Sequence, residues 1–291
     1  MKTSFAFVSL AILVAAHVSA QDYAIKMHQP LKVGQRYKFT AVGIESSENS
    51  MTSQERVLKN QKEELTLEME SQATVLAVDA KGRPTKESHT VVKLLQGAGK
   101  EPMLAAGTIV IASRPGRKTV FEIGGETATS AVAKALDLAV SITSGGPTDD
   151  EIFGTTERKK VGDRWSVNEA LALKDSNEKL STAGMSVESV KGTTTLQKVT
   201  KDGSVEVIHL LGNMTATMSA TAKGPFTFAD STMTATFTGA FPADITKSVR
   251  EEGLTMTMVL KASGKPNPEG PVVQISSNLK RSVTRQFKLH D

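Results

Sequence analysis

"EELTLEMESQATVLAV", residues 63–78, decides the fold class. Leu65, Leu67, Met69, Ala73, Val75 and Ala77 fall on one side of an extended chain, and Thr66, Glu68, Glu70, Gln72 and Thr74 on the other. A period of two held this long is a strand with one wet face. The run ends at "DAKG", Asp79 to Gly82, whose glycine supplies the positive φ that a hairpin turn needs. A return strand follows through "TKESHTVVKLL", residues 85–95.

Upstream stands "VGQRYKF", residues 33–39, which returns as "VGDRWSV" at 161–167. In each copy the glycine serves the turn into a strand. The arginine and the aromatic then point to opposite sides, one solvated and one against the core. Tyr37 and Trp165 therefore read as packing anchors. Downstream the alternation recurs in "GTIVIAS" (107–113) and "KTVFEIGG" (118–125) on either side of "RPGR", and then in three very regular runs. These align Met214, Ala216 and Met218, then Met233, Ala235 and Phe237, then Leu254, Met256, Met258 and Leu260.

Only one stretch has a helical period. In "TATSAVAKALDLAVSIT", residues 127–143, Val132, Ala135, Leu136, Ala139 and Val140 form an apolar stripe that Gly145-Gly146-Pro147 stops. The polar stretch after it reads as a linker. The expected fold is mainly β: two related halves of long curved antiparallel strands, half-barrel or sandwich-like, with one central α-helix. Residues 21–126 form the first half, 127–158 the helix and linker, and 159–291 the second half.

Lys2, an apolar core from Phe5 to Ala16 and Val18-Ser19-Ala20 read as a secretory signal peptide over residues 1–20. The apolar run is shorter than the roughly 20 residues a spanning helix needs, so no transmembrane span is expected. With no cysteine in 291 residues, the chain uses no disulfide in an oxidising compartment. A periplasmic or extracellular place in a bacterial envelope fits that pattern. A formal charge of +4 with only one Trp and two Tyr argues against nucleic acid as a partner.

No catalytic constellation stands out. There is no G-x-S-x-G elbow, and the S-x-x-K spacings at Ser176–Lys179 and Ser277–Lys280 lack companion motifs. His28, His89, His209 and His290 are isolated in sequence, and no metal or cofactor is expected. Asp149, Asp150 and Glu151 read as a solvated linker, and the basic run Lys280, Arg281, Arg285 and Lys288 as a solvated edge. The expected role is non-catalytic, by binding or scaffolding, with an apolar ligand or an envelope component as partner. The residues that would hold an apolar ligand are Met214, Met218, Met233, Phe237, Met256 and Met258, because flexible thioethers suit a surface that accepts varied apolar groups.

Val33, Gly34 and Tyr37, the Asp79 to Gly82 turn, the helix near 130–142, and Val161, Gly162 and Trp165 together resemble the pattern of an exported bacterial β-rich family. That family carries no assigned activity, so the resemblance implies export and a β fold, and no chemistry. Long curved sheets capped by a helix are also similar to the half-barrels of periplasmic lipid and lipoprotein carriers, an analogy of fold alone.

Overall fold

Alternating text becomes strand throughout. In this computed structural model residues 21–289 are described, apart from 117, 143–144, 181–184, 221–225, 245, 248 and 268. The signal peptide at 1–20, Arg117, His290 and the Lys179 side chain lie outside the described residues.

The opening run lies in β2 (Arg56–Val78), with Leu65, Leu67, Met69, Ala73 and Val75 buried. Its turn is tied by Asp79, whose Oδ1 accepts the backbone N–H groups of Lys81 and Arg83, both at 2.9 Å. Such a local side-chain bridge substitutes for ladder bonds at the bend. The return strand is β3 (Pro84–Gln96). Beyond it the sheet steps outward through β5 (Ile109–Ser113), β6 (Val120–Ile123) and β7 (Glu126–Thr127), while β4 (Glu101–Pro102) pairs with β3 off that path.

On the other side of β2 comes β1 (Arg36–Ser53), which also pairs with β14 (Val273–Leu289). From β14 the sheet continues through β13 (Glu251–Gly264), β12 (Ser231–Pro242), β10 (Val205–Ala220) and β9 (Met185–Asp202) to β8 (Arg164–Ser166), and β11 (Phe226–Phe228) pairs with β13 off that path. The result is one antiparallel sheet of 14 strands that does not close: β7 stands at one end and β8 at the other. The end strands β7 and β8 are two and three residues long, and β8 pairs with only Thr193 to Thr195 of the 18-residue β9.

The two V-G-x-R turns repeat in hydrogen bonding as well as in text. Gly34 N–H donates to the Val75 carbonyl and Gly162 N–H to the Leu196 carbonyl, both at 2.8 Å. The side chains of Gln35 and Asp163 accept from the N–H groups of Lys32 and Lys160. The glycines sit at φ +85° and +95°, a region that costs a side chain about 1–2 kcal/mol. Arg36 and Arg164 are exposed, Tyr37 is buried and Trp165 half-buried.

Among the described residues three helices cover the inner face, where one was expected. The expected one is α1 (Ser130–Ala139), whose Ala135, Leu136, Leu138 and Ala139 are buried against the first set of strands. A second, α2 (Asp149–Phe153), occupies the stretch read as a solvated linker. Thr148 and Glu151 form a capping box there. Asp150 accepts the backbone N–H groups of Met27 (2.6 Å) and His28 (3.2 Å), so the acidic run anchors chain. The third, α3 (Glu169–Leu180), packs on β9 and buries Ala172 and Ser176, one turn apart. Residues 21–32 touch both sets of strands. Tyr23 bridges to Lys159, Ile25 and Met27 enter the core beside Leu196 and Phe241, and Leu31 N–H reaches the Gly82 carbonyl.

Candidate functional site

Between α1 on one side and α2 and α3 on the other, the inner face of the sheet is left uncovered over β1, β14, β13 and β12. The gap is a cavity of ≈ 900 Å³. That lies in the roughly 300–1,000 Å³ range of ligand pockets.

Strand register sets the sheet beneath it in rows, whose β13 and β12 members, apart from Gly239, line the cavity. One row runs Glu45, Arg281, Met256, Ala235, Met214, and the next Gly43, Val283, Leu254, Phe237, Gly212. The third runs Ala41, Arg285, Glu252, Gly239, Leu210. The small residues admit the roof: a Cβ on Gly43 would stand 2.6 Å from Leu138 of α1, and one on Gly212 3.4 Å from Phe153 of α2.

Of the six residues expected to hold an apolar ligand, Met214, Met233, Phe237 and Met256 line the cavity. Met218 does not; it is buried in the cluster that α3 closes, with Val187 and Ala216. Met258 packs half-buried against that same cluster. Phe153 stacks on Phe237 at 5.6 Å between ring centroids, and Phe287 meets Phe39 and Tyr37 at 5.6 and 5.8 Å.

The polar lining was not anticipated. Tyr37, read as a packing anchor, reaches the cavity and donates its hydroxyl to Glu87 at 2.6 Å. Burial first, and then the Glu87 carboxylate, push its phenol well above the usual range. His89 lies beside this pair: Nδ1 is 3.0 Å from Ser71 Oγ and Nε2 is 3.6 Å from Glu87 Oε2. Ser71, His89 and Glu87 thus make a Ser–His–carboxylate chain in outline. Ser71, however, is wholly buried beneath His89 and does not line the cavity, so no substrate carbonyl can meet its hydroxyl.

Arginines converge on the cavity as well, and for Arg281 and Arg285 this corrects the reading of the C-terminal basic run as a solvated edge. Arg83 pairs with Asp79 at 2.7 Å and donates to the carbonyls of Gly145, Gly146 and Pro147. Arg114 donates to the Ile142 carbonyl at 2.7 Å, and Arg281 lies 3.5 Å from Asp137 and 3.9 Å from Glu45. Arg285 donates from Nε to the Ala139 carbonyl at 2.6 Å, closing the open end of α1. Burial lowers its pKa.

Glu252 faces the same space from the next strand, and its pKa rises to about 7. Burial is the main cause, the charge of Asp149 adds to it, and Arg285 opposes it. Gln29 also lines the cavity and is buried, and neither atom of its amide finds a hydrogen bond among the described residues. Among those residues no group of three or more His, Asp or Glu is arranged to hold a metal ion.

No family model and no curated protein matches the sequence. Among solved structures the chain is similar to the outer membrane protein OprG from Pseudomonas aeruginosa, at 9% identity and TM-score 0.25, over 89% of this chain and 98% of that one. It is also similar to a BenF-like porin from Pseudomonas fluorescens Pf-5, at 8% and 0.21, over 89% and 100%. A third is OccAB4 of Acinetobacter baumannii, at 7% and 0.21, over 86% and 99%. The expectation of no transmembrane span is corrected to a statement about helices alone. It came from the length of apolar runs, which tests helices alone, whereas outer membrane proteins cross with strands. No helix among the described residues is long and apolar enough to cross a membrane, and that statement does not extend to strands.

Proposed function

We propose that this is an exported envelope protein that acts by binding, without catalysis, and that its ligand lies in the cavity between the helices. The apolar part of the ligand rests on Met214, Met233, Phe237 and Met256. The observation that carries this reading is the cavity itself: ≈ 900 Å³ of space walled on one side by thioethers and a phenyl ring. A protein that served only as a scaffold would gain stability by closing this face, because removing apolar surface from water contributes roughly 25 cal/mol per Å². Flexible Met side chains adapt to ligands of different shape, which suits a carrier better than a rigid core. The likeness to an exported bacterial β-rich family and the two matching V-G-x-R turns support two related halves that enclose one site between them.

Native mass spectrometry on the chain from Gln21 onward, purified gently from the exported compartment, tests this. A reproducible adduct of lipid size is expected. Ala235→Phe, which places a ring in the middle of the Met row, should abolish the adduct while thermal unfolding stays cooperative. Bare protein at low activation energy, or an adduct that persists in Ala235→Phe, would overturn the reading.

A further inference from the structure

The cavity floor holds two charges that an apolar ligand alone leaves unused. β13 and β14 set Glu252 directly opposite Arg285, with both side chains on the inner face. Yet they do not close into an ion pair. Among the described residues the Glu252 carboxylate has neither hydrogen bond nor salt bridge, and Arg285 uses only its Nε, on Ala139. A charge taken out of water is costly unless it is paired and hydrogen-bonded. Here two opposite charges stand side by side, each with groups still to satisfy.

The other cavity arginines differ in this respect. Arg83 and Arg281 are paired with the carboxylates of Asp79 and Asp137, and Arg114 donates from two nitrogens to the carbonyls of Gly116 and Ile142, so they shape the walls and offer less to a ligand. A head with only negative charge would meet Glu252 and Asp149. One with only positive charge would meet Arg285 and Arg281. Gln29 adds an independent sign: its buried amide offers one acceptor and two donor hydrogens to the same space.

We propose that Glu252 and Arg285 form a head-group subsite, and that the ligand is a single-chain amphiphile with a zwitterionic head, an ammonium toward Glu252 and a phosphate or carboxylate toward Arg285. The inference rests on the cavity being a ligand site, and it adds the class of ligand. Cavity size sets the single chain, since ≈ 900 Å³ is the space of one drug-sized molecule. The head lies across the row Arg285–Glu252, and the chain runs over Leu254 and Phe237 to Met256 and Met214.

Three probes of equal chain length test it by calorimetry at pH 8, below their micelle concentrations: a lysophosphatidylethanolamine, a fatty acid and an alkylamine. The zwitterion should bind at least about tenfold more tightly than either singly charged probe, the scale of one charge-assisted hydrogen bond. Glu252→Gln should weaken the zwitterion and strengthen the fatty acid, and Arg285→Gln should favour the alkylamine. If a single variant fails to fold because its partner charge is left alone, the double variant Glu252→Gln/Arg285→Gln removes both. It should bind all three probes equally. Equal affinity for the three heads in the unaltered chain, or preference for a singly charged one, overturns the zwitterion while leaving an apolar ligand in the cavity. No binding of any probe overturns both.

Discussion

Glu252 shares a face with Leu254, Met256 and Met258 because side chains of a strand alternate, so its place on the inner side is written in "EEGLTMTMVL". Arg285 is legible in the same way, between Val283 and Phe287. What the text does not contain is that these two positions stand opposite each other, or that helices leave the space above them uncovered. The groups facing Glu252 are Asp149 on α2, Arg285 on β14 and Tyr37 on β1. Its carboxyl keeps its proton up to pH about 7 in the folded chain, against a reference of 4.5. Between those values the folded state binds more protons than the unfolded one. The stabilising effect of protonation is therefore full below pH 4.5 and is lost as pH rises to 7, a change on the order of 3 kcal/mol. Glu252→Gln has no proton to lose. Denaturant unfolding across pH 4.5 to 7 should show a shallower fall in stability for the variant than for the unaltered chain. Parallel curves would show that Glu252 titrates as an ordinary surface group.

At the scale of elements, α1, which was legible, and α3, which was not, differ in a single property. In α1 the buried positions are all apolar, Ala135, Leu136, Leu138 and Ala139, so its stripe stands out against polar neighbours. In α3 the buried pair is Ala172 and Ser176, and Leu171 and Leu173 are only half-buried. A serine in the stripe and leucines beside it erase the period. The local signal that remains is Asn168, whose Oδ1 accepts the N–H of Leu171 and caps the first turn. α2 was hidden by its acids, which look solvated in text but receive backbone N–H groups from residues more than 120 positions earlier. How closely α1 can lie on the sheet depends on Gly43. A methyl there would stand 2.6 Å from Leu138 Cγ, closer than real carbons approach, and Leu138 is fully buried. Gly43→Ala should therefore destabilise by about 1–3 kcal/mol. Its Tm should drop by several degrees, and the double variant Gly43→Ala/Leu138→Ala should show strong non-additivity. An unchanged Tm in the single variant would mean that α1 does not rest on β1 at this point.

Over the whole molecule, hydrophobic alternation identifies strands and turn residues identify hairpins, so the neighbours β2–β3, β9–β10 and β5–β6 could be expected from text. The join that makes one sheet could not. β1 pairs with β14 through contacts between residues 36–53 and 273–289, and alternation says nothing about which distant strand a strand will meet. This seam also decides the site, because the cavity floor runs continuously from β1 across β14 to β12. The absence of cysteine offers a direct test of it. Ser50 and Ser276 are direct partners across the seam. Facing residues in an antiparallel pair lie about 4.5–5.5 Å apart at Cα, within the span of a disulfide. The double variant Ser50→Cys/Ser276→Cys should oxidise to a single intramolecular bridge while folded. Closing so long a loop should raise stability by up to about 5 kcal/mol, less any strain in the bridge. Two free, reactive thiols after mild oxidation of the folded monomer would show that β1 and β14 are not in this register. In that case Arg285 would not stand opposite Ala41, and the rows that join β1 to Glu252 would be shifted.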